Sequence, residues 1–82
     1  MKIQRITYLS LGSNQGDKLK HLQKAIHLIA EKIGPVLKIS SIYKTQAIGF
    51  NGEDFLNTCI KISTYLPPET LINNILEIET IL

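Results

Sequence analysis

Apolar and polar residues follow one another in five blocks along this chain, and the spacing within each block predicts one strand or helix. Residues 3 to 11 carry large and β-branched apolar side chains on both faces, which is typical of a central strand covered from each side. Residues 36 to 45 and 55 to 64 are also predicted strands. The last of these has an aliphatic face that we expect to meet the helices, comprising Leu56, Thr58, Ile60 and Ile62.

Two blocks have the three- and four-residue spacing of amphipathic helices. The first runs from Asp17 to Ile33 and is closed by Gly34-Pro35. Its stripe comprises Leu19, Leu22, Ala25, Ile26, Ile29, Ala30 and Ile33. The second opens at Pro67-Pro68-Glu69, where proline suits the first turn and an acid lies near the positive end of the helix dipole. Its apolar positions are Leu71, Ile72, Ile75, Ile78 and Leu82.

The order strand, helix, strand, strand, helix predicts an α+β fold, a ferredoxin-like sandwich in which βαββα is present and the final strand is missing. That strand would pair beside the first strand. We therefore expect the first strand to have an unpaired edge, through which the chain self-associates.

Composition narrows the classes of partner. Nine Lys and Arg against seven Asp and Glu give a net charge of +2, too small and too scattered for a nucleic-acid or membrane surface. Cys59 is the only cysteine, so a disulfide framework is excluded and a reducing cytoplasm is expected. No apolar run approaches the roughly 18 residues of a membrane span, and no signal-peptide pattern is present.

The loop at residues 12 to 17 lies between a strand and a helix, where loops that bind phosphate are found. Its sequence, Gly-Ser-Asn-Gln-Gly-Asp, matches neither common nucleotide-binding signature. Asp17 would repel an anion but is well suited to cap the helix. A tight turn followed by a cap is the favoured interpretation.

Phe55 and Asn57 are the strongest candidates for chemistry. Side chains alternate along a strand, so these two share a face and offer a stacking surface beside an amide to one flat heterocycle. The segment from Thr45 to Gly49 could add backbone groups that match the edge of such a ligand. The alternatives are a core Phe55, a solvated Asn57 and an ordinary strand connection.

Four segments in this order resemble the hydroxymethyldihydropterin pyrophosphokinase family of folate biosynthesis. They are Tyr8-Leu-Ser-Leu-Gly-Ser-Asn, Ser40-Ser-Ile-Tyr-Lys-Thr, Ile48-Gly and Asp54-Phe-Leu-Asn. The resemblance covers essentially the whole chain and about the first half of a family member. It implies that residues 1–82 are the N-terminal portion of a single pyrophosphokinase domain, which transfers diphosphate from ATP to 6-hydroxymethyl-7,8-dihydropterin.

The resemblance also implies roles for particular residues. The pterin-binding positions are Asn14, Thr45, Ile48, Phe55 and Asn57. Glu79 resembles a glutamate that approaches the nucleotide, although an exposed helical acid is the alternative. The family carries its catalytic arginines and the Asp-x-Asp pair that holds magnesium beyond the second helix, so we expect no catalytic or metal-binding residue in this chain.

Two functional hypotheses therefore stand. The chain is part of a pterin pyrophosphokinase that is inactive by itself, or it is a non-catalytic ferredoxin-like module that binds a small ligand or pairs through its open strand edge. His21 and His27 lie outside the apolar arc of the first helix and are predicted to be solvated surface residues.

Overall fold

The computed structural model describes residues 3–14, 16–46 and 54–81, with side chains up to Ile78. In chain order the elements are β1 (Arg5–Ser13), α1 (Lys18–Lys32), β2 (Val36–Ile39), β3 (Tyr43–Thr45), β4 (Phe55–Thr64) and α2 (Pro68–Ile81). The protein is thus a small α+β fold with an antiparallel sheet and two helices, and the predicted α+β class is confirmed.

Strand β4 is the centre of the described sheet. On one side it pairs with β1, from Arg5 opposite Thr64 to Ser13 opposite Leu56. On its other side β2 and β3 pair with it one after the other. All three neighbours run antiparallel to β4, so this one long strand sets the register of the whole sheet.

The two faces of the sheet are covered differently. Thr58, Ile60 and Ile62 of the predicted aliphatic face of β4 are buried beneath the helices, whereas Leu56 on the same face is half-buried. The core cluster comprises Ile29, Ile33, Ile60, Ile62, Leu71 and Ile78. Within the described ranges no element packs on the opposite face, which we call the open face. The open face carries Tyr8, Ser10, Gly12, Tyr43, Thr45, Phe55, Asn57, Cys59 and Lys61.

Strand β1 differs from its prediction at both ends. It begins at Arg5 and continues through Gly12 and Ser13, which the sequence pattern assigned to the following loop. The strand is longer because β4 reaches back to Phe55 and offers Asn57 and Leu56 as pairing partners to those two residues.

The unpaired edge predicted for the first strand is confirmed in the described sheet, where β1 lies at an edge and β4 occupies the centre. The predicted cover on both faces of the first strand is wrong for the described residues. Ile6 and Tyr8 lie on the open face and are 50% and 71% exposed, so no element in the described part of the chain covers these apolar side chains of β1. The sequence pattern correctly indicates apolar residues on both faces, but only one face is buried here.

The predicted strand at 36 to 45 is two short strands separated by a break at Ser40. The Ser40 N–H still donates to the Cys59 carbonyl at 2.8 Å. The Cys59 N–H, however, donates to the Ser40 hydroxyl at 2.9 Å. A side chain has replaced the backbone as acceptor, and this competition interrupts the regular ladder.

Helix α1 is confirmed within one residue at each end. Asp17 caps it by accepting a hydrogen bond from the Lys20 N–H at 3.1 Å, as predicted. Leu22, Ala25 and Ile29 are buried along its inner face. Leu19 and Ala30 belong to the predicted stripe but are exposed, because they lie on its flank at the helical spacing.

Helix α2 begins at Pro68 with Glu69 in its first turn, as predicted. Leu71 and Ile78 reach the core, and Ile75 packs against it. Ile72 was also predicted on the apolar face, but it is 57% exposed. No described helix is long and apolar enough to cross a membrane.

Candidate functional site

Three strands bring the candidate site together at one end of the open face. Asn57 of β4 lies directly between Gly12 of β1 and Tyr43 of β3. Thr45 lies opposite Phe55 in the next row. The predicted shared face of Phe55 and Asn57 follows from the strand alternation, and the register adds Thr45 to them.

The Asn57 side chain is held by its amide nitrogen. Nδ2 donates to Thr45 Oγ1 at 2.8 Å, and longer contacts of 3.4 Å and 3.5 Å reach the Tyr43 and Phe55 carbonyls. Carbonyl oxygens only accept, so these neighbours require the nitrogen on this side of the amide. The orientation of the Asn57 amide is therefore set by the sheet itself.

This arrangement leaves two groups for a ligand. Asn57 Oδ1 lies over Gly12, and no donor in the described part of the chain bonds to it. The Thr45 oxygen accepts from Asn57, which leaves its hydroxyl proton to be donated elsewhere. An acceptor and a donor thus stand side by side next to the Phe55 ring, a combination suited to the hydrogen-bonding edge of a flat heterocycle.

Next along the open face is a cluster of hydroxyl and thiol groups around Cys59. The Cys59 sulfur is 3.5 Å from Ser10 Oγ and 3.8 Å from the Tyr43 hydroxyl. Hydrogen bonds from Ser10, and secondarily from Tyr43, lower the pKa of the Cys59 thiol, against a smaller opposing effect of desolvation. The bond to Cys59 in turn raises the pKa of Tyr43. This cluster lies on the open face between Asn57 and Lys61. The Lys61 Nζ is 6.0 Å from the centre of the Tyr8 ring.

Asn14 lies elsewhere. It lines a groove of about 410 Å³ between the end of β1 and the two helices, together with Ser13 and His21. The apolar floor of this groove includes Leu22, Ala25, Ile29, Ile75 and Ile78. Thr45, Phe55 and Asn57 are not among its lining residues. The structure therefore brings three of the five candidate pterin residues together and places Asn14 apart from them.

His21 was assigned only to solvated helix surface by the sequence pattern. It is exposed, but its Nδ1 lies 3.4 Å from Ser13 Oγ and it lines the same groove as Asn14. The signal in the sequence is its place in the first turn of α1, four residues after the capping Asp17. Gly16, with a φ of 62°, makes the turn that brings this helix start back to the end of β1.

The other two predicted site residues lie outside the side chains that the structure describes. Ile48 falls between residues 46 and 54. Glu79 is part of α2, but its side chain is beyond those described. In the described ranges no three His, Cys, Asp or Glu residues are grouped so that they could hold a metal ion.

Comparison with known proteins gives a consistent result. A sequence model of the family described as 7,8-dihydro-6-hydroxymethylpterin-pyrophosphokinase matches residues 8–82. The chain is 40% identical over 73 residues to the 2-amino-4-hydroxy-6-hydroxymethyldihydropteridine pyrophosphokinase of Aquifex aeolicus, covering 88% of this chain and 45% of that protein. It is 38% identical over 76 residues to the protein of the same name from Bacillus subtilis, covering 90% of this chain and 46% of that protein.

A third relative is larger. The bifunctional protein FolKE of Lactococcus lactis is 37% identical over 75 residues, which cover 89% of this chain and 22% of that protein. The chain spans about half the length of the two single-function relatives, at 45% and 46%.

Proposed function

Because the chain belongs to the 7,8-dihydro-6-hydroxymethylpterin-pyrophosphokinase family, we propose that it forms part of an enzyme that transfers diphosphate from ATP to 6-hydroxymethyl-7,8-dihydropterin. Residues 1–82 would be the N-terminal portion of its single domain. The observation that carries the proposal is the orientation of Asn57, whose amide nitrogen is bound to Thr45 and whose amide oxygen is left for a ligand beside Phe55.

The pterin is expected to bind on the open face at Thr45, Phe55 and Asn57. Its ring would stack on Phe55, which is worth on the order of 1 kcal/mol beyond area burial. One of its N–H groups would donate to Asn57 Oδ1, and its carbonyl would accept from Thr45. Such pairing discriminates strongly, because a ligand lacking either group leaves a desolvated partner unsatisfied.

We assign Asn14 and Ile48 to the same pterin site, as the family resemblance implies. Asn14 lines the groove on the helical side of β1, so its contribution requires that the ligand reach around the end of that strand. Replacing Asn14 with Ala is the direct way to learn whether it contributes to pterin affinity.

The nucleotide is proposed to approach α2, with Glu79 among its contacts. In the reaction the pterin hydroxyl attacks the β-phosphorus of ATP and AMP leaves. Magnesium normally balances the charge of the polyphosphate, but the described residues do not provide a fitting cluster of ligands. As the family resemblance implies, the metal ligands and cationic groups of the proposed enzyme would lie in sequence beyond Leu82, and this chain would supply the pterin-binding part.

The fold proposed for this part is the ferredoxin-like βαββα arrangement. It is supported by the pairing of β2 and β3 along the same side of β4, where together they occupy the place of the second strand in that arrangement. We place the enzyme in the cytoplasm, where its substrate ATP is supplied.

AMP release by the complete polypeptide tests the proposed reaction. The assay contains ATP, magnesium and 6-hydroxymethyl-7,8-dihydropterin, with AMP and the pterin diphosphate both quantified. We expect equal amounts of the two products, and none without pterin. A purified, folded complete polypeptide that binds pterin but releases no AMP would instead identify a non-catalytic binding module.

The Asn57→Ala variant tests the site within the same protein. Isothermal titration with 6-hydroxymethylpterin, in the presence of a non-hydrolysable ATP analogue, should show at least about tenfold weaker binding, the cost of a matched hydrogen bond. Lys44→Ala, on the adjacent strand and pointing away from the open face, is the matched control. Equal affinity in wild type and Asn57→Ala would refute the site.

A further inference from the structure

Gly12 stands directly opposite Asn57 in the β1–β4 pair. The backbone of Gly12 does not require glycine, because its φ is not left-handed. Among the described residues, only Gly16 has a left-handed φ. An alanine could therefore adopt the Gly12 backbone without conformational strain. The reason for glycine must lie in what surrounds the missing side chain.

The missing side chain would collide with one group. A Cβ at residue 12 would lie 2.9 Å from Asn57 Oδ1, closer than such contacts are found. The other nearby atoms, Phe55 Cδ1 at 3.7 Å and the Leu56 carbonyl oxygen at 3.9 Å, are at ordinary contact distance. The space over Gly12 is thus occupied by the amide oxygen of Asn57.

Gly34 provides the contrast. A Cβ there would lie 2.1 Å from the Ser63 carbonyl oxygen, a backbone atom in the centre of the sheet. Gly34 therefore serves the packing of the chain. At Gly12 the obstructed atom belongs to a side chain, which can move, so a methyl group would change the site and leave the sheet intact.

Asn57 cannot move without cost to its orientation. Its nitrogen is fixed by Thr45 Oγ1 at 2.8 Å, and rotation of the amide away from a methyl group would lengthen or break that bond. We propose that Gly12 is a positioning residue, which acts through Asn57 by leaving room for its amide oxygen at the ligand-binding face. The identity of the ligand rests on the proposed function, whereas the coupling of Gly12 to Asn57 does not.

A double-mutant cycle in the complete polypeptide tests this coupling. The variants are Gly12→Ala, Asn57→Ala and the combination, and the ligand is 6-hydroxymethylpterin with a non-hydrolysable ATP analogue. We expect Gly12→Ala to weaken binding by about tenfold, and to add less than about twofold once Asn57 is alanine. Ser10→Ala, on the same strand and face, is the matched control and should bind as wild type.

Additive losses in the cycle would overturn the proposal, because Gly12 would then act independently of Asn57. Wild-type affinity in Gly12→Ala alongside a loss in Asn57→Ala would also overturn it, while leaving the proposed function intact. The melting temperatures of all variants are measured so that loss of folding is recognised.

The side-chain amide resonances of Asn57 provide a second readout that needs no ligand. Gly12→Ala should shift both Nδ2 protons, whereas Ser10→Ala should leave them in place. If Asn57→Ala leaves pterin affinity unchanged, the proposed site fails, and the resonances still decide the coupling. Unshifted Asn57 resonances in a folded Gly12→Ala variant would refute it.

Discussion

Asn57 is useful to a ligand because its amide nitrogen is already engaged. Three acceptors surround Nδ2, and the shortest contact is the 2.8 Å bond to Thr45. The amide oxygen is thereby presented in one orientation before a ligand arrives. Pre-organisation of this kind reduces the ordering that binding would otherwise require.

Thr45 is the residue on which that orientation depends. Thr45→Val keeps the shape but removes the acceptor for Asn57 Nδ2 and the hydroxyl donor. We expect pterin affinity to fall about tenfold in Thr45→Val, and to remain within about threefold of wild type in Thr45→Ser, as measured by titration calorimetry. A loss of affinity in Thr45→Ser with wild-type affinity in Thr45→Val would assign the effect to the methyl group and contradict this account.

Cys59 provides a pH-dependent prediction on the same face. The pKa of its thiol is lowered chiefly by the hydrogen bond from Ser10 and secondarily by the one from Tyr43. The thiolate is the reactive form, so alkylation of the folded chain should reach half its maximal rate at a lower pH than alkylation of the unfolded chain.

Removing either hydrogen bond should raise the pKa of the Cys59 thiol again, and removing the one from Ser10 should raise it more than removing the one from Tyr43. Ser10→Ala should raise the midpoint of the alkylation profile, and Tyr43→Phe should raise it less, with iodoacetamide as the reagent. An unchanged midpoint in Ser10→Ala would show that this hydrogen bond does not stabilise the thiolate. Denatured protein provides the reference profile for each variant.

For single residues, the sequence predicts the geometry correctly where it depends only on the alternation of side chains along a strand. Phe55 and Asn57 share a face because they are two apart on a strand. The bond from Asn57 to Thr45 was not predictable, because it depends on the register of β3 against β4, which follows the break at Ser40. Asn14 was grouped with these residues by resemblance, and its place in the helical groove depends on where β1 ends.

At the scale of elements, the connection between α1 and β2 leaves no room for a side chain at Gly34. Gly34 follows the last turn of α1, and its Cα lies against the backbone of β4, where Ser63 also donates to the Pro35 carbonyl at 3.0 Å. A side chain at residue 34 can be accommodated only if the strand or the helix moves. Close packing makes such movement unfavourable.

Gly34→Ala should therefore destabilise the fold, by about 2 kcal/mol as judged from other overpacked sites. Gly12→Ala is the matched comparison, and its free energy of unfolding should stay within about 0.5 kcal/mol of wild type. Urea denaturation followed by circular dichroism measures both. A larger loss in Gly12→Ala than in Gly34→Ala would reverse the roles assigned to the two glycines.

The helices were easier to predict than the strands. A repeating apolar stripe and a cap such as Asp17 depend only on residues within or next to the helical segment. The division of residues 36 to 45 into β2 and β3 arises from a contact between Ser40 and Cys59, nineteen residues apart. Contacts of this kind depend on the tertiary fold, so the local pattern indicated one continuous strand.

The whole molecule is asymmetric about its sheet. The helices cover one face, whereas the open face and the outer edge of β1 have no neighbour in the described part of the chain. An unpaired strand edge offers free N–H and C=O groups to another strand. Beside this edge lies the apolar groove formed with α1 and α2.

We accordingly expect residues 1–82, expressed alone, to self-associate through β1. Light scattering at increasing protein concentration should give a rising average mass, and a constant monomer mass would contradict the prediction. Exposed apolar side chains on the open face could also cause association, so the edge needs a test of its own.

Tyr8 allows the two causes to be separated, because it is 71% exposed and lies near the middle of β1. If two copies of the chain paired antiparallel through β1, Tyr8→Lys would place two like charges, one from each copy, close together across the two strands, which opposes pairing. Tyr8→Ser removes the same apolar ring without adding charge. Association that is suppressed by Lys but retained by Ser would identify the strand edge as the contact, whereas equal suppression by both would identify the apolar open face.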